Sequence, residues 1–146
     1  MKVYNKAIAF LFLFILISTK ASFGQTYGEI FTNTEANQKF GPVTSSITIT
    51  STQLQDFLNK TNNVLMFKAK DGNLIVLGDG RRPIYPSSVA AAATDVFKAY
   101  SKSVISELLN KGGSGSVNIE MRSGTLTITD GDFTLEMGVF CPPLCP

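Results

Sequence analysis

Apolar and polar positions along the chain change period three times, and each period predicts a different element. Val64–Lys70 and Leu74–Leu77 are apolar runs of strand length on either side of Asp71-Gly72. That dipeptide tolerates positive φ and predicts a tight hairpin over 64–77. Both runs are apolar on both faces near their middles, as are strands covered on two sides, or covered once and packed edge-on. From Ser116 onward the alternation is cleaner: Val117, Ile119 and Met121 share one face, then Leu126 and Ile128, then Phe133, Leu135 and Met137. With Ser123-Gly124 and Asp130-Gly131 at the turns, this predicts a three-stranded meander over 116–138. Its other face, which includes Glu120, Arg122, Thr127, Thr129, Thr134 and Glu136, reads as the solvent side.

Between hairpin and meander the period becomes helical. Val89, Ala93, Val96, Phe97, Tyr100, Val104, Ile105, Leu108 and Leu109 recur at steps of three and four. This spacing predicts one long helix over 88–111, opened by Pro86-Ser87 and stopped by Gly112-Gly113. Upstream, Ser46–Thr50 alternates as a short strand, and Thr52 with Gln55 matches a capping box at the start of a short helix over 52–61. Ile84-Tyr85 adds a short edge strand stopped by Pro86. The expected architecture is α+β, a mainly antiparallel sheet (hairpin 64–77 plus meander 116–138) packed on the helix 88–111. Residues 46–140 form its single domain, 25–45 are poorly defined, and 141–146 are a Cys/Pro-rich tail.

The first 24 residues change the cellular picture. Lys2 and Lys6 precede the unbroken apolar run Ala7–Ile17, and Ser22 and Gly24 are small residues suited to positions −3 and −1. This predicts a signal peptide over 1–24, hence a secreted or periplasmic protein. The run is far shorter than the ~20 residues that span a bilayer, so no stable membrane insertion is expected after cleavage. Of the thirteen basic residues, Lys2, Lys6 and Lys20 lie in this segment, which leaves ten against eleven acidic ones. A near-neutral chain with no basic run beyond Arg81-Arg82 lacks the electrostatic footprint of a nucleic-acid binder.

Candidate chemistry is sparse. The chain has no histidine, which removes the commonest general base, the commonest metal ligand and every Ser–His or Cys–His nucleophile. Asp71, Asp79, Asp130 and Asp132 sit in turns, where a carboxylate bonding nearby backbone explains them. Two features stand out. In Gly78-Asp79-Gly80-Arg81-Arg82, glycines allow N–H groups to converge and two guanidiniums suit a carboxylate or phosphate; Tyr85 adjoins it. The second is the tail Cys141-Pro-Pro-Leu-Cys145-Pro146, whose cysteines an exported chain would oxidise, with each other or with a partner. Its Cys-x-x-x-Cys-Pro spacing is similar to that of copper-chaperone proteins with a thioredoxin-like fold, and that resemblance implies a thiol or Cu(I) role. The chain departs from those sites in having no histidine and no βαβ unit beside the motif. Met66, Met121 and Met137 read as core rather than as soft ligands. No catalytic residue, metal site or cofactor is assigned. The expectation is an exported, non-catalytic binding or interaction module for a protein or a small anionic ligand, the alternative being a thiol/disulfide or Cu(I)-handling protein.

Overall fold

The computed structural model describes residues 25–142, 144 and 145, so the signal-peptide segment lies outside the described residues. In chain order the elements are β1 (Glu29–Thr32), α1 (Asn33–Phe40), β2 (Val43–Thr50), α2 (Ser51–Asn59), β3 (Val64–Lys70) and β4 (Asn73–Gly78). A 3-10 turn (Asp79–Arg81) then leads to β5 (Arg82–Tyr85), β6 (Phe97–Ser101), α3 (Lys102–Gly112), β7 (Ser116–Arg122), β8 (Thr125–Asp130), β9 (Phe133–Glu136) and β10 (Val139–Cys141). The strands form two antiparallel five-stranded sheets, ordered β1-β9-β8-β7-β2 and β10-β6-β3-β4-β5.

The architecture is therefore mostly β, and the expectation of an α+β sheet packed on one long helix is wrong. The hairpin and the meander do not share a sheet. The first lies in the second sheet and the other in the first, and their inner faces close on each other. The error centres on residues 88–101. Helix begins only at Lys102; residues 88–96 are irregular, and Phe97–Ser101 is a strand paired with β3 and β10. A helix would put Phe97 and Tyr100 on one stripe. The strand sends them to opposite faces, Tyr100 into the main core and Phe97 into a second apolar cluster. Burying a large side chain is worth roughly 1.5–3 kcal/mol, against tenths of a kcal/mol per residue for the helix propensity of Ala90–Ala93.

The main core lies between the sheets. Ile119, Ile128 and Leu135 of the first face Leu65, Phe67 and Val76 of the second, with Leu54, Phe57 and Leu58 of α2 and Val104, Ile105 and Leu108 of α3 closing the sides. The second cluster, Val64, Met66, Leu77, Phe97, Ala99 and Cys141, occupies the far face of the second sheet, and Val89 and Ala91 of the irregular segment pack on it.

Local boundaries follow side-chain chemistry. The α2 cap is Thr50, whose hydroxyl accepts from the N–H of Gln53, two residues before the predicted box. A full capping box does occur, at α1, where Thr32 and Glu35 bond reciprocally. α3 ends at Gly113 in the left-handed conformation (φ 60°).

The predicted solvent face of the meander is also inside. α1 lies across it, and Glu120, Arg122, Thr127, Thr129, Thr134 and Glu136 are all buried. Glu136 is held by Thr125 and Lys98, and a chain of hydrogen bonds satisfies the others. Thr134 donates to Asn33, Thr129 and Thr134 share a bond, and Thr129 donates to Glu120 at 2.8 Å. Arg122 donates to Glu120 at 2.7 Å, and also to Asn37 and the carbonyl of Gly41.

Candidate interaction surface

The turn after β4 begins with close packing. A Cβ on Gly78 would sit 2.9 Å from Ile84 Cδ1 and 3.0 Å from Thr61 Oγ1. The Asp79 carboxylate points back into the molecule. It accepts from Thr61 Oγ1 (2.9 Å) and from the N–H groups of Asn62 (2.7 Å), Asn63 (3.2 Å) and Val64 (3.1 Å). Partial burial opposes its charge, but those donors prevail and hold its carboxyl below the ordinary value. Gly80 and Arg81 both take positive φ, 63° and 61°.

The two arginines of the turn diverge. Arg81 Nη2 donates to the carbonyls of Ala92 (2.9 Å) and Asp95 (3.0 Å), Nη1 reaches Cys141 O and Sγ at 3.4 Å each, and the guanidinium lies 5.1 Å from the Phe97 ring centre. Arg82 Nη2 donates to the carbonyl of Lys60 at 2.6 Å and lines an open hollow of about 640 Å³ with Asn59, Asn62 and Ser87. Each guanidinium holds main chain, and the two are not aimed at one ligand position.

Tyr85 has a different setting. It is 40% exposed, its ring packs 5.5 Å from that of Phe57, and it stands at a cleft of about 420 Å³ between β2 and the β4–β5 ribbon. Ile47, Leu74 and Val89 supply apolar lining, and Thr48, Gln53 and Asn73 supply uncharged polar groups.

β2 itself is the feature that the residue pattern did not single out. Each sheet has two edges, and three of the four are blunted in the manner of stable β proteins. β1 is four residues long and begins with Glu29; β5 is four residues long and contains Arg82 and Pro83; β10 has three residues and runs into Pro142. β2 has eight residues, Val-Thr-Ser-Ser-Ile-Thr-Ile-Thr, with no charge and no proline. One side pairs with β7 from Ser45 to Thr50, after a bulge at Val43–Ser45. The other side pairs with no strand among the described residues. A charge-free run of eight between Pro42 and Ser51 was the available signal. Reading only Ser46–Thr50 as strand hid its length.

Several other titratable groups are tied into the fold. Lys98 crosses from the second sheet to pair with Glu136 at 2.8 Å, both nearly inaccessible. Tyr100 donates to the carbonyl of Leu126, and its burial, with the charge of Glu136 nearby, pushes its phenol well above the ordinary value. Asp130 Oδ1 accepts from the Ser114 N–H (3.0 Å) and hydroxyl, while Oδ2 has no partner among the described residues. Cys141 and Cys145 form a disulfide, with Cys141 fully buried and Cys145 at the surface. Met66 is in the core as expected, whereas Met137 is 55% exposed at φ 61°. Among the described residues no group of three or more His, Cys, Asp or Glu side chains is placed to hold a metal ion, and no helix is long and apolar enough to cross a membrane. Comparison with protein-family models, curated proteins and solved structures finds no match for this chain.

Proposed function

We propose that this is an exported, non-catalytic interaction module that captures an extended segment of a protein partner by adding it as a strand to β2. The observation that carries the reading is that eight-residue edge, uncharged and unpaired on one side, running beside the Tyr85 cleft. Free main-chain N–H and C=O groups in a row demand another extended backbone, which supplies affinity without sequence readout. Side chains entering the cleft supply the selection. Its lining favours a segment with small apolar and uncharged polar residues over an acidic or basic one. The basic start and short apolar run at the N-terminus, together with the disulfide, support a site of action outside the cytoplasm.

The test is selection of displayed decapeptides on the full chain, followed by amide exchange with the selected peptide bound. The reading expects slowed exchange along residues 43–50 and at least tenfold weaker binding by Ser46→Lys, which puts a charge on an exposed edge position. Protection confined to other segments, or unchanged binding by both Ser46→Lys and Tyr85→Ala, would overturn it. A dimer that forms with concentration and is dispersed by Ser46→Lys would instead assign the edge to a second copy of this chain.

A further inference from the structure

The two sulfurs of the tail have unlike surroundings, and that inequality has a chemical consequence. Cys141 is fully buried, belongs to β10 and is registered against Phe97 of β6, with Val139 against Ala99 two residues earlier. Cys145 lies at the surface, beyond the last strand. Arg81 Nη1 stands 3.4 Å from the Cys141 sulfur. That guanidinium is fixed independently of the sulfur, by the carbonyls of Ala92 and Asp95 and by the Phe97 ring beneath it. The Asp95 carboxylate shares the field of Arg81 but is bonded elsewhere, by Lys68 at 2.6 Å and by the N–H of Ala92 at 3.0 Å, while Arg81 itself reaches the sulfur directly. The Ser87–Val96 segment supplies no other acid or base.

We propose that the Cys141–Cys145 bridge is an exchange-active disulfide, in which Cys145 is the sulfur attacked and Cys141 the leaving thiolate held by Arg81. This stands apart from the β2 reading. The co-reactant is a dithiol, in a partner protein or a small molecule. Its first thiolate attacks Cys145 Sγ, a bond forms between them, and the Cys141–Cys145 bond breaks with its electron pair on Cys141. The second thiolate then attacks the first sulfur of its own molecule and releases the Cys145 thiolate. The dithiol leaves as a disulfide, and two electrons have passed to the chain. Exchange accelerates when the leaving sulfur is the better-stabilised thiolate, and a guanidinium in contact lowers a thiol pKa. Strand pairing keeps Cys141 beside Arg81 after opening, whereas Cys145 is free to carry the mixed disulfide.

The experiment treats the oxidised full chain with excess glutathione, quenches in acid, caps free thiols and maps both cysteines by mass spectrometry. Glutathione on Cys145 and the cap on Cys141 is the expected pattern; the reverse, or an even split, overturns the assignment. Thiolate absorbance of the reduced chain against pH is the second readout. One thiol should titrate at least one unit below the ordinary cysteine value of about 8.5. Both titrating there or higher would sink the proposal whatever the variants do. Arg81→Lys should retain most of that shift and Arg81→Met should lose it, with reduction by dithiothreitol slowed about tenfold in Arg81→Met. Equal reduction rates for wild type, Arg81→Met and the free peptide Cys-Pro-Pro-Leu-Cys would also overturn it.

Discussion

Arg122 and Glu120 show how a polar side chain with a clear place in an alternating pattern can still be misassigned. Their parity put them on the outer face of the meander correctly, but parity is silent about what covers that face. The cover is α1, and the groups that fasten it, Asn33, Asn37 and the carbonyl of Gly41, lie more than eighty residues upstream. Asp79 has the same history: turn chemistry accounts for its position, yet its acceptor bonds go to residues 61–64 rather than to its own turn. At Arg122 the energetics are steep, because the pair is almost inaccessible, with side chains 3% and 9% exposed. Removing one partner of a buried pair leaves an uncompensated charge and typically costs about 3–5 kcal/mol, whereas an apolar replacement of both can be nearly neutral. Arg122→Met should therefore lower the urea-unfolding free energy by about that amount, and Glu120→Leu/Arg122→Met should recover most of it. A double variant as unstable as the sum of the single ones would show that the pair is not coupled.

The segment before α3 is where element-scale reasoning failed, and its cause is specific. Three-and-four spacing of apolar residues is evidence for a helix only if all of them face one surface. Here two surfaces exist: the second sheet is apolar on both faces, and the apparent stripe is divided between them, with Val89 and Phe97 at one and Tyr100 at the other. Elements defined by nearest neighbours in the chain fared better. The hairpin at Asp71-Gly72, the turns at Ser123-Gly124 and Asp130-Gly131, and the glycine stop of α3 all depend on local φ preferences that a residue pattern carries. Ala93 separates the two descriptions of the segment. The N–H of Asp95 donates to the carbonyl of Ala92 at 3.0 Å, so Ala93 is the second residue of a tight turn. Proline is favoured at that position, while inside a helix it costs ~3 kcal/mol or more. Ala93→Pro should change thermal stability by less than about 1 kcal/mol, and a loss of 3 kcal/mol or more would restore the helix.

At the scale of the whole molecule, the pairings that make the fold are the ones furthest apart in sequence. β1 joins β9, β2 joins β7, and β6 lies between β3 and β10. Periodicity specifies strands and their faces but not partners, so two sheets were merged into one. The same distance explains why the candidate surface was half legible: Tyr85 was singled out, but the strand across its cleft lies some forty residues earlier. The N-terminal end of the described residues bears on the export reading. The N–H of Tyr27 donates to Ser101 Oγ at 2.7 Å and the N–H of Ser101 to the carbonyl of Tyr27 at 2.8 Å, which ties the chain down three residues after Gly24. Cleavage after Gly24 would leave Gln25 and Thr26 at the mouth of a hollow of about 660 Å³, beside Asn63 and Lys102, with every described strand intact. The chain recovered from outside the cytoplasm should therefore begin at Gln25 by intact mass and carry two hydrogens fewer than its reduced form. Recovery of all 146 residues in the membrane fraction would remove the export reading, and the oxidised tail would then need another explanation.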